Sequence, residues 1–316
     1  MSFHLLHISE YGCKLSKDRG FLVCNKDDIQ VGKMPIEDIR ALILISESVA
    51  YSASIVAELL ENDAVILHCK KFKPVGITLP LTRVYDLRST LNQGASPKVL
   101  NREIWKKLLH AKISNSAYVL NKMGSSSPLL DRYAKSSVDI DEARCAKAYW
   151  KIYFPIIGEY GISRRNNNDS KANVMLNYGY GILGALIHRS IIVHGLSPLF
   201  GVYHKTYYKN TPLVYDLIEP YRAIVDFLLY KYLLESSIPS IRNWAKYLGN
   251  MLKEFRVKHK NISLKLMDSI EVMTESVANC YKEKNSKNLW VPYLGEQDGK
   301  YKQKKSIQNG LGNGNV

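Results

Sequence analysis

The sequence predicts an α+β protein in which a small N-terminal β-rich domain is followed by a larger all-α domain. Short apolar and β-branched runs recur through the first 70 residues, whereas long segments with helical spacing of apolar residues fill the chain from residue 98 onward. The net charge of +15 also divides the chain, because it arises entirely beyond residue 90. With 46% hydrophobic residues, a chain of 316 residues can bury a sizeable core.

The first domain, placed at 1–90, is predicted from four short runs that are bounded by turn residues. Each run is rich in Ile, Leu or Val, as is typical of strands. One intervening segment, YSASIVAELLE at 51–61, has apolar residues at helical spacing and predicts a helix. The predicted strands are 3–8, 21–25, 39–46 and 64–69.

A polar stretch, STLNQGASP at 89–97, separates the two domains, and we expect a linker at 91–97. The second domain, 98–284, is predicted to be helical because its segments are long and amphipathic. Gly195 is a suitable C-cap for one of these helices. The predicted helices are 98–122, 141–154, 171–194, 213–234, 239–256 and 262–284.

The end of the chain, 285–316, is predicted to be a flexible basic tail. Four lysines lie between residues 300 and 305, and Asn-Gly repeats close the sequence. Low hydrophobicity and high local charge are typical of segments that stay disordered.

Composition excludes several classes of protein. No run approaches the roughly 18 to 20 apolar residues that cross a bilayer, and the first residues lack the basic and apolar regions of a signal peptide. The five cysteines are scattered without a CxxC pair, which argues against a disulfide framework and against a structural zinc site. These features predict a cytoplasmic protein with reduced thiols.

The distribution of charge indicates a basic surface on the second domain. Residues 1–90 carry 11 basic and 11 acidic side chains, so the whole excess of positive charge lies in residues 91–316. Such a surface either binds a polyanion such as nucleic acid or serves only to keep the protein in solution.

A charged stripe interrupts the apolar segment LVYDLIEPYRAIVDFLLYKYLL at 213–234. Its members are spaced by three, three and four residues, which places them on one face of a helix. Burying carboxylates is costly unless they pair with or bind a cation, so the stripe is either a functional site or a set of salt bridges from Arg222. Pro220 is expected to kink the helix or to lie in its first turn. The stripe consists of Asp216, Glu219, Arg222 and Asp226.

Further polar candidates precede this segment. A second polar stripe repeats every four residues at the start of the helix predicted at 171–194, where it either lines a site or forms an interhelical seam. Arg164 and Arg165 come just before it, suitably placed to meet a phosphate. Glu142, in the first turn of another predicted helix, either complements the helix dipole or reaches inward as a ligand. The second stripe consists of Asp169, Asn173 and Asn177.

The hexapeptide GYGILG at 179–184 matches the dinucleotide-binding pattern GxGxxG but lacks its context. No buried strand precedes it, and no acidic residue follows it at the required distance. Small residues that let a helix pack closely against a neighbour explain these glycines better. The sequence contains no P-loop, HExxH or GxSxG motif.

Taken in order, several of these elements resemble one family, the spacer-acquisition integrase called CRISPR-associated protein one. The resemblance covers about 140–230, and the order of a β-rich and a helical domain agrees with that family's architecture. Ala143 follows Glu142 where many members have Gly, and Glu219 lies where most members have Asp. The matching elements are EAR at 142–144 with YW at 149–150; Arg165 with Asp169, Asn173 and LNYGY at 176–180; GLSP at 195–198 with Gly201, His204 and Asn210; and YDL at 215–217 with EPYR at 219–222 and Asp226.

The resemblance implies a divalent metal site formed by Glu142, His204 and Glu219, which are thus the expected catalytic residues together with Asp216. Asp216 matches a further acidic position of the motif and is expected either to orient a ligand or a water or to share the ion. His204 is expected to be either a ligand or a general base. Two carboxylates and an imidazole suit Mg²⁺ or Mn²⁺, and no thiolate lies near these motifs to favour zinc.

The activity implied by the resemblance is that of a metal-dependent DNA integrase and endonuclease of CRISPR adaptation. It would insert short DNA fragments, or spacers, into the CRISPR array by transesterification from a 3′-hydroxyl. Other polar residues would contact DNA phosphates or support the site. These are Arg144, Arg164, Arg165, Asn173, Asn177 and Arg222.

The resemblance also implies partners. These are double-stranded DNA, as spacer precursor and as CRISPR repeat, and the small CRISPR-associated protein two. A homodimer through the β-rich domain is implied within a larger complex, in a prokaryotic cytoplasm and away from membranes. Glu219 resembles the form found beside type II systems, which would add an effector nuclease and another acquisition protein.

Two other functions stay open. A metal-dependent nuclease that cuts DNA or RNA without integration would use the same residues, and only strand-transfer products would distinguish it. A non-catalytic basic DNA-binding protein would explain the carboxylate stripe by salt bridges, and Glu219→Ala would then leave DNA processing unchanged.

Overall fold

The computed structural model describes residues 4–81, 87–136, 140–159, 164, 170–205 and 210–295. Arg165, Asp169 and the four lysines between 300 and 305 lie outside these residues. The five cysteines are free thiols. Among the described helices, none combines the length and the apolar character that crossing a membrane requires.

Seven described strands form two sheets in the N-terminal part of the chain. Their bounds are β1 His4–Ile8, β2 Lys14–Asp18, β3 Phe21–Lys26, β4 Ile29–Pro35, β5 Ile39–Leu44, β6 Val65–Lys70 and β7 Lys73–Thr78. The larger sheet has the order β1-β5-β6-β7, in which the first three strands are parallel and β7 is antiparallel. Helix α1 (Ala53–Glu61) makes the crossover that the parallel pair β5 and β6 requires. The smaller sheet is the antiparallel meander β2-β3-β4.

The larger sheet is buried on both faces, as β5 illustrates. Because side chains alternate along a strand, Ile43 points to one face and Leu42 and Leu44 point to the other. Ile43 packs into a core shared with the helices that follow, whereas Leu42 and Leu44 pack with Ile55 and Leu59 of α1. The β-rich part and the helical part therefore share one hydrophobic core.

Nine described helices follow the sheets. They are α2 Leu87–Gly94, α3 Lys98–Lys122, α4 Pro128–Lys135, α5 Glu142–Ile156, α6 Lys171–Val193, α7 Pro212–Ile218, α8 Arg222–Glu235, α9 Ile241–Glu254 and α10 Leu266–Glu283. Their ends obey local rules: Asp141 and Ser240 each accept a backbone N–H three residues further on, and Pro128 and Pro212 begin α4 and α7. Gly195, with a φ of +69°, follows α6 in the left-handed conformation of a helix stop.

The prediction of an all-α second domain is wrong. A hairpin of β8 (Arg256–His259) and β9 (Ile262–Lys265) interrupts it, and Lys258 also pairs with Tyr293. The hairpin is short and polar and turns at Lys260, whose φ is +52°. Its sequence pattern therefore cannot be distinguished from that of the ends of the two predicted helices that flank it. The chain is therefore β-rich at its N-terminal end and mixed, although mainly helical, beyond it.

The predicted linker and tail also differ from the structure. Residues 91–94 belong to helix α2, in which Gln93 is buried. Residues 285–295 are ordered, since Trp290 and Val291 are buried and the Leu294 N–H donates to Asn115 Oδ1 at 2.9 Å. Apolar side chains at 289–293 hold this segment against the helices, which a polar tail would not do.

Two of the three glycines of GYGILG allow close packing, whereas a Cβ on Gly184 would meet only ordinary contacts at 3.9 Å. A Cβ on Gly179 would lie 2.4 Å from Val225 Cγ1, and a Cβ on Gly181 would lie 2.3 Å from Pro74 Cγ. Helix α6 therefore lies directly against α8 and β7 at these two positions.

Candidate active site

Helix α3 brings a lysine to two of the predicted metal ligands. Lys112 Nζ lies 2.6 Å from Oε1 of Glu142, the first residue of α5, and 2.7 Å from Oε2 of Glu219, just before α8. Glu219 Oε1 accepts a hydrogen bond of 3.0 Å from Nε of Arg222. Two carboxylates that are distant in sequence thus converge on one ammonium group.

Pro220 determines where Glu219 lies. A 3₁₀ turn at Glu219–Tyr221 separates α7 from α8, because proline has no N–H with which to continue a helix. The helix predicted at 213–234 is therefore divided at this turn into α7 and α8. Asn115 of α3 donates from Nδ2 to the Pro220 carbonyl at 2.7 Å, which ties the turn to the helix that carries Lys112.

The charges in this cluster stabilise one another. Burial opposes the ionisation of Glu219, but Arg222 and Lys112 outweigh it and hold its pKa at about 2. Burial likewise opposes the charge on Lys112, yet Glu219 and Glu142 raise its pKa above the ordinary value. The exposed fractions of the Lys112 and Glu219 side chains are 17% and 8%. Both groups are therefore ionised at neutral pH.

Asp216 orients His204. The fully buried carboxylate accepts a hydrogen bond from His204 Nδ1 at 2.6 Å and further ones from the backbone N–H groups of Val202, Tyr203 and His204 at 2.6, 2.9 and 3.2 Å. A Cβ at Gly201 would lie 2.9 Å from Asp216 Oδ2, so this close approach requires glycine. With Nδ1 donating to Asp216, the lone pair of the imidazole is on Nε2.

Helices α2 and α3 support the loop that carries His204. The Tyr203 ring stacks on Trp105 of α3 with centroids 4.5 Å apart, and the His204 ring meets Trp105 edge-on at 5.9 Å. Gln93 of α2 donates from Nε2 to the Phe200 carbonyl at 2.7 Å. Helix α3 therefore positions both the paired carboxylates and the histidine loop.

Asp226, the last carboxylate of the stripe, has different neighbours. It accepts hydrogen bonds from the hydroxyl groups of Tyr149, at 2.9 Å, and Tyr180, and the Tyr153 hydroxyl donates to its backbone carbonyl at 2.9 Å. Burial raises the pKa of Asp226 to about 6, although the two phenols and nearby arginines oppose the rise. The ion pair of Arg222 is thus with Glu219, while Asp226 is held by neutral phenols.

The polar stripe on α6 anchors an arginine. Arg164 donates to Oδ1 of Asn173 at 3.0 Å and to Oδ1 of Asn177 at 2.5 Å. The guanidinium carbons of Arg164 and Arg222 lie 5.2 and 4.8 Å from the ring centre of Tyr180. Tyr180 therefore connects the surroundings of Asp226 with those of Glu219.

One basic face of α5 begins beside Glu142. Arg144, Lys147 and Lys151 are exposed at spacings of three and four residues, which puts them on the same side of the helix. Arg144 is thus a surface residue next to the paired carboxylates. Arg165, the remaining predicted contact, lies outside the described residues.

The side chains of Glu142, Glu219 and His204 are of types that bind divalent cations, although Lys112 contacts both carboxylates. Among the described residues, no three His, Cys, Asp or Glu side chains are close enough to share one ion. Glu219 Oε2 is nevertheless buried and lies 2.7 Å from the Lys112 ammonium, so it faces a positive charge. Two carboxylates and an imidazole with Nδ1 fixed are ligands that Mg²⁺ and Mn²⁺ accept.

Three residues of α3 that position this site belong to no motif. Trp105, Lys112 and Asn115 share one stripe of the helix with Leu108 and Val119, at alternating intervals of three and four residues. All of them except Lys112 are buried. A lysine and an asparagine at positions of an otherwise apolar stripe are the signal that reveals them in the sequence.

Comparison with known proteins places these residues in a family context. The sequence model of the family described as CRISPR associated protein Cas1 matches residues 6–240. The CRISPR-associated endonuclease Cas1 of Neisseria meningitidis serogroup C (strain 8013) is 25% identical over 298 residues, covering 90% of this chain and 94% of the relative. The CRISPR-associated endonuclease Cas1 2 of Saccharolobus solfataricus is 30% identical over 235 residues, covering 73% and 76%.

Solved structures share the fold. A casposase bound to integration product superposes with a TM-score of 0.74 at 21% identity, covering 91% of this chain and 92% of that chain. A Cas6-RT-Cas1–Cas2 complex gives a TM-score of 0.74 at 17% identity, covering 93% and 36%. At these identities the likeness concerns the fold.

Proposed function

The chain belongs to the family of CRISPR-associated protein Cas1, and from this membership we propose that it is a metal-dependent DNA integrase of CRISPR adaptation. Two relatives are named endonucleases, and the casposase of similar fold was solved with an integration product. The observation that carries the proposal is the convergence of Glu142 and Glu219 on one cation, with His204 held by Asp216 in the same domain.

Glu142, Glu219 and His204 are the proposed ligands of Mg²⁺ or Mn²⁺. The convergence of the two carboxylates on one ammonium and the lone pair on His204 Nε2 support this assignment. The chemistry that such an ion supplies is neutralisation of the charge that builds on the attacked phosphate.

The other residues of the cluster prepare these ligands. Asp216 keeps the proton on His204 Nδ1, so that Nε2 is the atom that binds an ion or accepts a proton. Arg222 holds Glu219 Oε1, and together with Lys112 it keeps this carboxylate ionised at every physiological pH. Asn115 fixes the turn on which Glu219 lies.

The proposed reaction is a transesterification. The 3′-hydroxyl oxygen of the DNA fragment attacks a phosphodiester of the repeat in line, forming a new P–O bond. The P–O bond to the 3′ oxygen of the repeat strand breaks, and that oxygen takes up a proton in place of the one lost by the attacking hydroxyl. The number of phosphodiester bonds is conserved, so the step needs no nucleotide triphosphate.

The basic face of α5 is the proposed path for DNA toward Glu142. Arg144, Lys147 and Lys151 can neutralise successive phosphates, and the net charge of +15 favours such binding. The solved complex that contains Cas1 and Cas2 supports a Cas2 partner for this chain as well. The homodimer and the type II partners stay predictions.

The experiment is an integration assay. The purified protein and its Cas2 partner are mixed with a short labelled duplex and a supercoiled plasmid carrying a CRISPR repeat, in Mg²⁺ or Mn²⁺. We expect covalent transfer of label to the plasmid, and we expect that His204→Ala or removal of the metal abolishes it.

His68→Ala is the matched control. His68 lies in β6 and bonds to Thr78, so its loss should leave strand transfer unchanged. Cleavage of the duplex without transfer would support the nuclease instead. DNA binding without transfer or cleavage would support an architectural protein.

A further inference from the structure

Lys112 occupies an unusual position for a lysine. It extends from the buried stripe of α3 into the gap between Glu142 and Glu219, and it contacts both carboxylates at ion-pair distance. Its partners hold it there, because each contact is between opposite full charges in a partly dehydrated setting. The ammonium therefore supplies a positive charge to these two carboxylate oxygens, as a bound metal cation would.

The charges of the cluster balance without any ion. Lys112 and Arg222 carry two positive charges, and Glu142 and Glu219 carry two negative ones. A divalent cation added to this set would leave an excess of two positive charges. Either the lysine moves away or the added ion binds weakly, because like charges this close repel strongly in a buried site.

The two cationic side chains differ in how they contact Glu219. Arg222 donates to Oε1 of Glu219 at 3.0 Å, whereas Lys112 lies 2.7 Å from Oε2 of Glu219 and also 2.6 Å from Oε1 of Glu142. Lysine is also an unbranched side chain with four rotatable bonds, so its ammonium can withdraw while its backbone stays in α3. Lys112 lies between the two proposed ligands, so its ammonium is the group that an ion shared by them would have to displace.

We propose that Lys112 occupies the metal position between Glu142 and Glu219 and that a divalent ion must displace its ammonium from both carboxylates in order to bind. The proposal rests on the proposed function, since it takes these two carboxylates to be metal ligands. The lysine keeps the carboxylates together and neutral before loading, and once displaced it is a positive charge beside the attacked phosphate. Metal affinity is thereby reduced in the absence of DNA.

The test is calorimetric titration of Mn²⁺ into the full-length protein without DNA. Lys112→Met removes the charge and keeps an unbranched apolar chain, so we expect the Kd for Mn²⁺ to fall by about tenfold or more. Lys122→Met, an exposed lysine on the same helix, is the control and should leave the Kd unchanged. A Kd that is unchanged or higher in Lys112→Met overturns the proposal.

Glu219→Gln separates this inference from the proposed function. If Glu219→Gln binds Mn²⁺ as the wild type does, the metal site itself is wrongly placed. If Glu219→Gln loses affinity for Mn²⁺ while Lys112→Met gains no affinity, the metal site is correctly placed and the proposed displacement of Lys112 is wrong.

A second measurement uses the unmodified protein, in case Lys112→Met does not fold. Acetic anhydride labels accessible lysine amines, and mass spectrometry quantifies each site. We expect Mn²⁺ to raise the labelling rate of Lys112 several-fold relative to that of Lys122. A rate that does not change or that falls with Mn²⁺ contradicts displacement.

Discussion

Glu219 and Asp226 are two buried carboxylates seven residues apart, yet their surroundings shift their pKa values in opposite directions. Two cations surround Glu219, and its pKa falls to about 2. Two phenol hydroxyls bind Asp226, and burial raises its pKa to about 6. The surroundings of Glu219 favour its ionised form, and those of Asp226 favour its protonated form.

The difference shows that burial of a carboxylate does not by itself indicate a metal ligand. What distinguishes Glu219 is a second carboxylate, that of Glu142, brought to the same ammonium by α5. Asp226 instead joins α8 to α5 and α6 through Tyr149 and Tyr180, which is a structural role. Arg222 donates to Glu219 and lies over the ring of Tyr180, whose hydroxyl donates to Asp226.

The largest expected effect is on the Glu219 side of this comparison. Glu219→Gln keeps the shape but removes the charge that two cations and the proposed metal need, so strand transfer should fall by about 10³-fold. Circular dichroism checks that the variant folds. Glu275→Gln, on the exposed side of α10, is the control and should transfer as the wild type does.

On the Asp226 side the comparison predicts an effect on stability with a definite sign. The folded-state pKa of about 6 lies above the ordinary value of 3.8, so this group stabilises the fold below about pH 4 and loses that contribution as the pH rises through 6. Asp226→Asn mimics the protonated form at every pH. Its free energy of unfolding, compared with that of the wild type, should therefore increase by about 3 kcal/mol as the pH rises from 4 to 7.5. Urea unfolding of both proteins measures it.

A difference in unfolding free energy that does not vary with pH would show that Asp226 is ionised throughout. The two carboxylates would then differ only in their partners and not in their charge. That result would remove the basis for separating a structural from a functional acid here.

Asp216 should give an intermediate effect. It acts through His204, so Asp216→Asn removes the negative charge and replaces one of the two accepting oxygens by an NH2 group, which loses two of the four hydrogen bonds and loosens the loop. Metal affinity and strand transfer should each fall by about 10- to 100-fold, as when the partner of a metal-bound histidine is lost. Wild-type Mn²⁺ affinity in this variant would show that the His204 loop is not part of the site.

The smallest effect concerns the stacking that supports the same loop. Tyr203→Leu removes the ring that stacks on Trp105 and should cost about 1 kcal/mol of stability in thermal or urea unfolding. Tyr11→Leu, at an exposed position of the N-terminal part, is the control. An equal loss in both variants would mean that the stack contributes nothing specific.

The sequence allows Glu219 and Asp226 to be found but not to be told apart. Charged residues at apolar positions of one segment are visible in the chain, and so is the break at Pro220. Their partners come from α3, α5 and α6, and only the folded chain brings Lys112, Tyr149 and Tyr180 to them. The role of each carboxylate is therefore a property of tertiary structure.

The secondary-structure elements also divide into those that local sequence signals predict and those that only tertiary contacts hold. The bounds of helix α6 agree with the predicted helix 171–194 to within one residue, because Gly195 marks its C-terminal end locally. The hairpin β8–β9 was missed because four-residue polar strands have too little pattern to compete with adjoining helices, and they are held by pairing with each other and with Tyr293. Residues 285–295 are likewise ordered by contacts with distant helices.

The most direct test of the central claim is calorimetric titration of Mn²⁺ into the wild type, Glu219→Gln and Asp226→Asn. If Glu219 is the metal-binding acid and Asp226 the structural one, Asp226→Asn binds one equivalent with wild-type affinity, and Glu219→Gln loses at least about 10-fold in affinity. Loss of binding in Asp226→Asn together with unchanged binding in Glu219→Gln would contradict it.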